Sequence, residues 1–377
     1  MALLASWSRS AVVRLAVAAC LACGITIAAP AQEGLAVGVN VVNPQWLSRP
    51  EQEAIFDQLG RAGVELVRVP FVRPTGEDDD GAVRLLQRIQ ARGFRIALIL
   101  YPEFPRTAPI RPAVPSLSDM WPLPALSAAD PVLFRERYGA VFRKLDDAGV
   151  ALEAIELGNE INWTAFNGEF PIPGRGRVYG YEDLEREPIA RRVAAGFRAY
   201  IRTAAELKRI RDGSRLNART PIVSAGLADL GAPGPRRGEV TDAVSIPATL
   251  RYLREHGLDE FVDGYGVHTY PEIDASAAAR NASLRTNVLA ECRPPGAGKP
   301  CWLTEWGFPT RELTCPAKDE SRAALVAEVM NAMREFSREG RLRAAIYYQW
   351  SGSEDPLGVY RCGGLTESGR LATIPRP

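Results

Sequence analysis

A regular alternation of short apolar runs and amphipathic segments extends along most of this chain, from residue 35 to residue 350. Eight of the runs are rich in aliphatic and β-branched residues, which favours β-strands, and the segments between them carry apolar residues at helical spacing. Repetition of this kind requires parallel strands joined by helical crossovers. The predicted strands are 35–42, 65–69, 94–101, 152–157, 221–225, 262–268, 301–307 and 343–350.

Seven helices are predicted between these strands, at 50–62, 81–92, 130–148, 188–212, 246–256, 276–292 and 321–339. Eight repeats in a chain of this length fit a closed (β/α)8 barrel with insertions. An open doubly wound sheet is the alternative, but it usually has a glycine-rich phosphate turn after its first strand, and this sequence has none. The segment 363–370 is predicted as a hairpin or turn. The expected fold class is therefore α/β, a (β/α)8 TIM barrel that can lack a regular eighth helix.

The connections between predicted elements differ in length according to which element they follow. Long connections follow predicted strands, at 102–129, 161–187, 227–244 and 351–370, whereas connections after helices such as 63–64, 149–151 and 340–342 have two or three residues. In a (β/α)8 barrel the loops after the strands build the functional face. We therefore expect the site at the C-terminal ends of the strands.

The first 31 residues have the composition of a secretory signal peptide. Arg9 and Arg14 supply positive charge, 15–28 are apolar, and Ala29-Pro30-Ala31 has the small residues of a cleavage site. Lipid attachment at Cys20 is a weaker alternative, and the apolar stretch of about 14 residues is short for a membrane span. We predict a signal peptide at 1–31, one folded domain at 32–377, and a secreted or periplasmic location.

Removal of the signal peptide leaves four cysteines, which are Cys292, Cys301, Cys315 and Cys362. An even number of cysteines in an exported protein favours disulfides, and four cysteines allow three pairings. We favour Cys292–Cys301 with Cys315–Cys362, because each pair would tie neighbouring connections at one end of the fold. Buried free thiols are the alternative. A zinc site is disfavoured because Cys-x-x-Cys spacing is absent after residue 31 and the sequence has only two histidines.

The charge of the chain gives little reason to expect a charged partner. Its 377 residues have a formal net charge of +1. This balance does not favour nucleic acid or an acidic membrane surface. No segment after residue 31 is apolar enough to predict a membrane span. We expect a monomer.

Two of the predicted strands end in a glutamate. The run 152–157 stops at Gly158-Asn159-Glu160, and the run that begins at Cys301 reaches Thr304-Glu305. Asn and Glu are poor strand residues, so the apolar run stops where they begin. Two glutamates at the ends of two strands are the minimum equipment for cleaving a glycosidic bond.

These two motifs and a third, His268-Thr269-Tyr270, resemble those of the clan A retaining glycoside hydrolases, which include families 5 and 39. The resemblance follows the strand order over nearly the whole of 32–377. It implies a glycoside hydrolase domain in which Glu160 is the general acid/base and Glu305 the nucleophile, about 5 Å apart, for double displacement. No proline follows Glu160, where many relatives have one, so the family and the substrate stay open.

The same resemblance assigns expected roles to further residues. Asn159 would bind the sugar 2-hydroxyl, Tyr270 would donate to Glu305, and His268 would contact substrate or this network. Arg68 would lie beside the nucleophile, paired with Glu305 or Glu156. Trp350 would form the floor of the subsite that holds the sugar to be cleaved. Further aromatic residues at strand tips could extend a sugar-stacking groove; they are Trp46, Phe71, Tyr101, Trp163 and Trp306.

The resemblance implies a carbohydrate substrate, with water as the second substrate and neither a metal nor an organic cofactor. Three alternatives are a transglycosylase with the same residues, a catalytically silent carbohydrate-binding barrel, and a metal-dependent barrel hydrolase. The last would need several His and Asp ligands. The sequence does not separate an endo-acting cleft from an exo-acting pocket.

Overall fold

The computed structural model describes residues 34–73, 78–114, 122–236, 238–351 and 355–375. The predicted signal peptide at 1–31 and Cys20 lie outside the described residues. From Leu35 onward the chain forms one compact unit around eight parallel strands. The strands are β1 (Ala36–Asn40), β2 (Leu66–Pro70), β3 (Arg95–Leu100), β4 (Ala154–Leu157), β5 (Ile222–Val223), β6 (Tyr265–Thr269), β7 (Cys301–Trp306) and β8 (Leu342–Tyr347).

The strands are hydrogen-bonded in chain order around the molecule. The sheet order is β6-β7-β8-β1-β2-β3-β4-β5. Two parallel bridges, Val223 with Gly264 and Leu227 with Val267, join β5 to β6 and close the ring. The (β/α)8 barrel is therefore confirmed, and the open doubly wound sheet is wrong.

Helices alternate with the strands as predicted. They are α1 (Arg49–Ala62), α2 (Asp79–Ala91), α3 (Pro131–Asp147), α4 (Pro188–Asp212), α5 (Ile246–Glu255), α6 (Ala277–Ser283), α7 (Glu320–Arg338) and α8 (Glu367–Thr373). Most begin at a side chain that caps free backbone amides, as Asp78 does for α2 and Asp130 for α3. A π-helical turn, Leu284–Val288, extends α6. In the described part of the chain, no helix combines the length and the apolar character that crossing a membrane requires.

The helix α8 corrects the prediction for the end of the chain. A hairpin of Tyr360–Arg361 with Gly364–Leu365 is present, but a helix begins directly after it. The Thr366 side chain caps the helix by accepting from the amide of Gly369 at 3.2 Å. Glycines and a seven-residue length hid the helical pattern in the sequence. The barrel therefore has its eighth helix.

Both disulfides have the favoured pairing. Cys292–Cys301 joins the segment after α6 to the start of β7. Cys315–Cys362 joins the β7–α7 connection to the hairpin after β8. The second bridge holds together two loops on the face where the strands end.

Side chains that point into the barrel change from apolar to polar toward the C-terminal ends of the strands. The inner apolar cluster consists of Ala36, Leu66, Ala97, Ala154, Val223, Trp302, Ala344 and Ile346. Residues two positions further along a strand point the same way. Arg68, Glu156 and Thr304 lie at such positions, and all three are buried. The interior of the barrel therefore supports a polar layer above an apolar base.

Candidate active site

Arg68 is the centre of the polar layer and is 2% exposed. Its Nε donates to Glu156 at 2.6 Å and its Nη2 donates to the other oxygen of Glu156 at 3.0 Å. Its Nη1 donates to Glu305 at 2.7 Å. Arg68 is therefore paired with both Glu156 and Glu305, the two partners that were considered from the sequence. A buried guanidinium needs such pairing, because removing an ion from water costs several kcal/mol.

Two asparagines complete the surroundings of Arg68. The amide oxygen of Asn40 accepts from Nη1 at 2.7 Å, and that of Asn159 accepts from Nη2 at 3.0 Å. Nδ2 of Asn40 also donates to the backbone carbonyl of Thr304 at 3.0 Å. Asn40 was not predicted as a site residue from the sequence. The signal was present, because Asn40 is a polar residue at the end of a strand that otherwise consists of apolar residues and glycine.

Glu305 is held from two sides. Besides the contact with Arg68, its Oε2 accepts from the hydroxyl of Tyr270 at 2.7 Å. Tyr270 and His268 are two residues apart on β6 and its extension, so both point into the site. The carboxylate therefore has fixed partners on each oxygen, which orients it and stabilises its ionised form.

A bulge in β7 brings two consecutive side chains into the site. The pairing of β7 with β6 is regular up to Leu303 and then skips one residue before Glu305. An extra residue of this kind interrupts the usual alternation of faces. Thr304 and Glu305 therefore both hydrogen-bond within the polar layer.

Glu160 lies at the end of β4 and contacts His268. Its Oε1 is 2.9 Å from Nδ1 of His268. Its backbone adopts φ 44°, in the left-handed region that is uncommon for a non-glycine residue. The backbone amide of Glu160 donates to the carbonyl of Gly226 at 2.8 Å, which fixes this tip against β5.

Burial separates the acid–base behaviour of the groups in the site. It raises the pKa of both Glu160 and Glu305; the contact with His268 opposes the rise at Glu160, and the charge of Arg68 and the hydroxyl of Tyr270 oppose the rise at Glu305. Burial lowers the pKa of His268, which favours the neutral imidazole at pH 7. Glu160 therefore has a neutral partner, and Glu305 has a cationic one.

The two carboxylates lie close together. One oxygen of each, together with a ring nitrogen of His268, fall within 4.8 Å of one another. A small cation could fit such a group, but the Glu305 carboxylate already binds the Arg68 guanidinium, whose charge opposes a second cation. The arrangement therefore suits acid–base and nucleophilic chemistry.

Two predicted site residues are not brought into this group. Trp350 is 1% exposed and stacks on Tyr360, with ring centroids 5.1 Å apart. Trp306 is fully buried and packs edge-on against Tyr347. Because β8 ends at Tyr347, three residues earlier than predicted, Trp350 lies beyond the strand tip.

Tyr348 lies in the site instead and was not identified from the sequence. Its ring is edge-to-face with that of Tyr270, with centroids 6.1 Å apart. Burial and the nearby charge of Glu305 raise the pKa of Tyr348 above its ordinary value. Counting in steps of two from Ile346 would have found it, since residue 348 is the next to point inward.

The other aromatic residues that were predicted at strand tips lie in different surroundings. Phe71 is buried and packs edge-on against Tyr138. Tyr101 is close to the polar layer, and burial together with the neighbouring carboxylates raises its pKa to about 12. Trp46 is 51% exposed, and Trp163 packs against Phe166, so these rings belong to the loops around the site.

Comparison with solved structures finds this barrel in glycosidases. The structure of a fungal β-1,4-galactanase aligns with 89% of this chain and 99% of its own, with a TM-score of 0.55 and 16% identity. A β-glucosidase from Thermotoga maritima in complex with cyclophellitol aligns with 90% of this chain and 97% of its own, with a TM-score of 0.52 and 12% identity. A glucosidase from Croceicoccus marinus aligns with 90% of this chain and 67% of its own, with a TM-score of 0.50 and 13% identity.

No protein-family model and no curated protein matches the sequence. At 12–16% identity the similarity to solved structures establishes the shared fold. Because one fold can support many activities, function has to be argued from the site.

Proposed function

We propose that this protein is a retaining glycoside hydrolase that cleaves O-glycosidic bonds of an oligosaccharide or polysaccharide by double displacement. The observation that carries the proposal is the proximity of Glu160 and Glu305, whose nearest ligand oxygens lie within 4.8 Å. Retaining glycosidases place their carboxyl groups about 5–5.5 Å apart, whereas inverting enzymes need roughly 6.5–9.5 Å to admit a water molecule.

The surroundings of the two carboxylates support different roles. Glu305 receives hydrogen bonds from Arg68 and Tyr270, which stabilise a carboxylate ready to attack. Glu160 is buried beside a neutral His268, which favours the protonated acid. Environments that separate the acidity of two carboxyl groups are the usual basis of this division of labour.

In the first step, an oxygen of Glu305 bonds to the anomeric carbon while the glycosidic C–O bond breaks. Glu160 gives its proton to the leaving oxygen. In the second step, the Glu160 carboxylate takes a proton from water, and the water oxygen bonds to the anomeric carbon and releases Glu305. Before the first step the ionised carboxylates are Glu156 and Glu305, and after it they are Glu156 and Glu160. The site therefore holds one guanidinium and two carboxylates in both states, and its net charge is unchanged.

Two further side chains are available to the sugar. Because the oxygen of Asn159 accepts from Arg68, its Nδ2 is the atom left to donate to a sugar hydroxyl, such as the 2-hydroxyl. Tyr348 offers an aromatic ring next to Tyr270. We propose that these residues bind the sugar at the point of cleavage, in place of the predicted contact with Trp350.

The test is hydrolysis of a panel of aryl glycosides and polysaccharides by the wild type, Glu160→Ala and Glu305→Ala. On substrates with poor leaving groups we expect both variants to lose at least about 10³-fold in kcat/KM, and we expect azide to rescue Glu305→Ala with release of a glycosyl azide of inverted configuration. NMR of the first product of the wild type should show retained configuration.

The matched control is Glu136→Ala, which removes an exposed glutamate of α3 on the outer surface of the barrel. It should keep the activity of the wild type. Inversion by the wild type, or full activity of either active-site variant on substrates with poor leaving groups, would refute the double-displacement proposal. Transfer of the glycosyl group to sugar acceptors, in preference to water, would instead assign a transglycosylase.

We also propose that the enzyme is exported. Two disulfides are characteristic of proteins that fold in an oxidising compartment. The predicted signal peptide at 1–31 accords with this. The N-terminal sequence of protein recovered from periplasm or medium should begin at Gln32, and retention of residues 1–31 on the exported form would contradict the predicted cleavage.

A further inference from the structure

We propose that Thr304 is a positioning residue that fixes the tautomer of His268, so that the proton shared by His268 and Glu160 rests on Glu160. The residues involved form a chain of hydrogen bonds, Glu156–Thr304–His268–Glu160, which we call the Thr304 relay. The inference rests on the proposed function, since it explains how the general acid is kept loaded.

The relay starts from a carboxylate that can only accept. Glu156 receives two hydrogen bonds from Arg68 and one from the amide of Gly226 at 2.9 Å. The hydroxyl of Thr304 lies 3.0 Å from the same carboxylate. A carboxylate clamped by a guanidinium in this way has no proton to give. The hydroxyl proton of Thr304 therefore points to Glu156.

This orientation determines which ring nitrogen of His268 carries a proton. Nε2 of His268 is 3.1 Å from the hydroxyl oxygen of Thr304. Since the only hydroxyl proton is already donated to Glu156, the oxygen can only accept from Nε2. Nε2 is therefore protonated.

The other ring nitrogen, Nδ1, faces Glu160 at 2.9 Å. Between Nδ1 and the Glu160 oxygen there must be one proton, held either as imidazolium with carboxylate or as neutral imidazole with carboxylic acid. His268 is 1% exposed, and burial favours the neutral pair. The proton therefore lies on Glu160, and turning its O–H bond from Nδ1 toward the leaving oxygen delivers it to substrate.

Charged and titratable groups surround the pair on several strands. The nearest on β7 is Glu305, with Oε2 3.7 Å from Nδ1 of His268. The others that interact with His268 or Glu160 are Arg68 on β2, Glu156 on β4, and the phenols Tyr101, Tyr270 and Tyr348. The guanidinium disfavours imidazolium and the carboxylates favour it, so these charges oppose one another. The relay keeps the proton on Nε2 and leaves Nδ1 to accept from Glu160, and burial favours the neutral pair.

The backbone of β5 leaves space for the relay. A Cβ on Gly226 would lie 2.0 Å from Nε2 of His268 and 2.6 Å from the hydroxyl of Thr304. Glycine is therefore required where β5 passes the two side chains. The bulge in β7 is the second requirement, because it allows Glu305 to point inward directly after Thr304.

The test compares Thr304→Val, which keeps the shape but removes the hydroxyl, with Thr304→Ser, which keeps the hydroxyl. In the valine variant Nε2 has no acceptor, so the Nδ1–H tautomer becomes favoured, and it donates to an ionised Glu160. We expect kcat/KM at pH 7 for glycosides with poor leaving groups, such as phenyl, to fall about 10²-fold. Activated 2,4-dinitrophenyl glycosides, which need no acid, should lose less than about threefold.

The alkaline limb of the pH profile of Thr304→Val should also move to lower pH, because Nδ1–H stabilises the ionised Glu160. Thr304→Ser should behave as the wild type in both respects. A role in packing alone would lower the rates for both kinds of leaving group together and would leave the alkaline limb in place. That outcome would overturn the proposal.

An independent test is to determine the tautomers of the histidine side chains of the wild type by 15N NMR. The sequence has two histidines. His256 places Nδ1 2.8 Å from the carbonyl of Tyr252 and should be the Nδ1–H tautomer when neutral, whereas His268 should be Nε2–H. An Nδ1–H or doubly protonated His268 at pH 7 would refute the relay. The NMR measurement needs no substrate. An inactive wild type would therefore refute the proposed function, and the NMR result would still test the relay.

Discussion

Replacing Arg68 by Met should destabilise the protein far more than the loss of an ordinary ion pair. The side chain makes five hydrogen bonds to four partners, two of which are buried carboxylates. Methionine fills a similar space but leaves Glu156 and Glu305 without their cation. Breaking a buried ion pair from one side costs about 3–5 kcal/mol. We expect a loss of at least this size in the free energy of unfolding at pH 7.

The loss should depend on pH in a defined direction. Without Arg68, the charge that most strongly opposes the effect of burial on Glu305 is lost, so the pKa of Glu305 in the folded variant rises further above its unfolded value. A group with a raised folded pKa loses stability as pH rises from the unfolded toward the folded pKa. The deficit of Arg68→Met relative to wild type should therefore be largest near neutral pH and shrink toward pH 4.

The assay is urea unfolding followed by circular dichroism at pH 7 and pH 5. Arg92→Met is the matched control, because Arg92 pairs with Glu53 at 2.7 Å on the surface. Exposed pairs of this kind contribute little to stability, because water and salt screen their charges. If Arg68→Met loses no more than the control, or loses equally at both pH values, the reasoning about buried charge is wrong.

Three further outcomes are expected. Tyr270→Phe removes a hydrogen bond worth about 1.5 kcal/mol that stabilises ionised Glu305, so the acidic limb of the kcat/KM profile should move up by about one pH unit; an unmoved limb would contradict this. The pKa of Glu160 is raised in the folded protein, so the wild type should lose stability as the pH rises above 4.5, whereas Glu160→Gln should not. The free energy of unfolding of Glu160→Gln, measured in urea, should therefore increase with pH relative to that of the wild type; a constant difference would argue against this. Replacing Cys315 and Cys362 by Ser should lower the free energy of unfolding by about 4 kcal/mol on the chain-entropy estimate for a loop of this length, and an unchanged urea midpoint would rule that out.

The sequence predicted the barrel because its repeating pattern is local and strong. Strand tips with polar residues were also local signals, and they identified Glu160, His268 and Glu305, which the structure brings together. The prediction placed Trp350 in the site because it extended β8 by three residues. Where a strand ends depends on tertiary hydrogen bonds, which local composition does not report.

The bulge in β7 could not be predicted for a similar reason. In a regular strand Thr304 and Glu305 would face opposite sides, and only pairing with β6 shows that a residue is extra. The role of Asn40 likewise depends on distant partners, since its amide joins the side chain of Arg68 to the backbone of β7. Contacts between strands far apart in sequence are set by closure of the barrel.

Closure also divides the functional groups between two halves of the chain. The first four strands carry Arg68, Glu156 and Glu160, and the last four carry His268 and Glu305. A fragment ending before β5 would keep the Arg68–Glu156 pair but have no nucleophile, and the complementary fragment would hold Glu305 without its cation. Separately expressed halves should therefore gain activity only by reassociating. The ion pair between Arg68 in one half and Glu305 in the other would favour the correct alignment of the two halves.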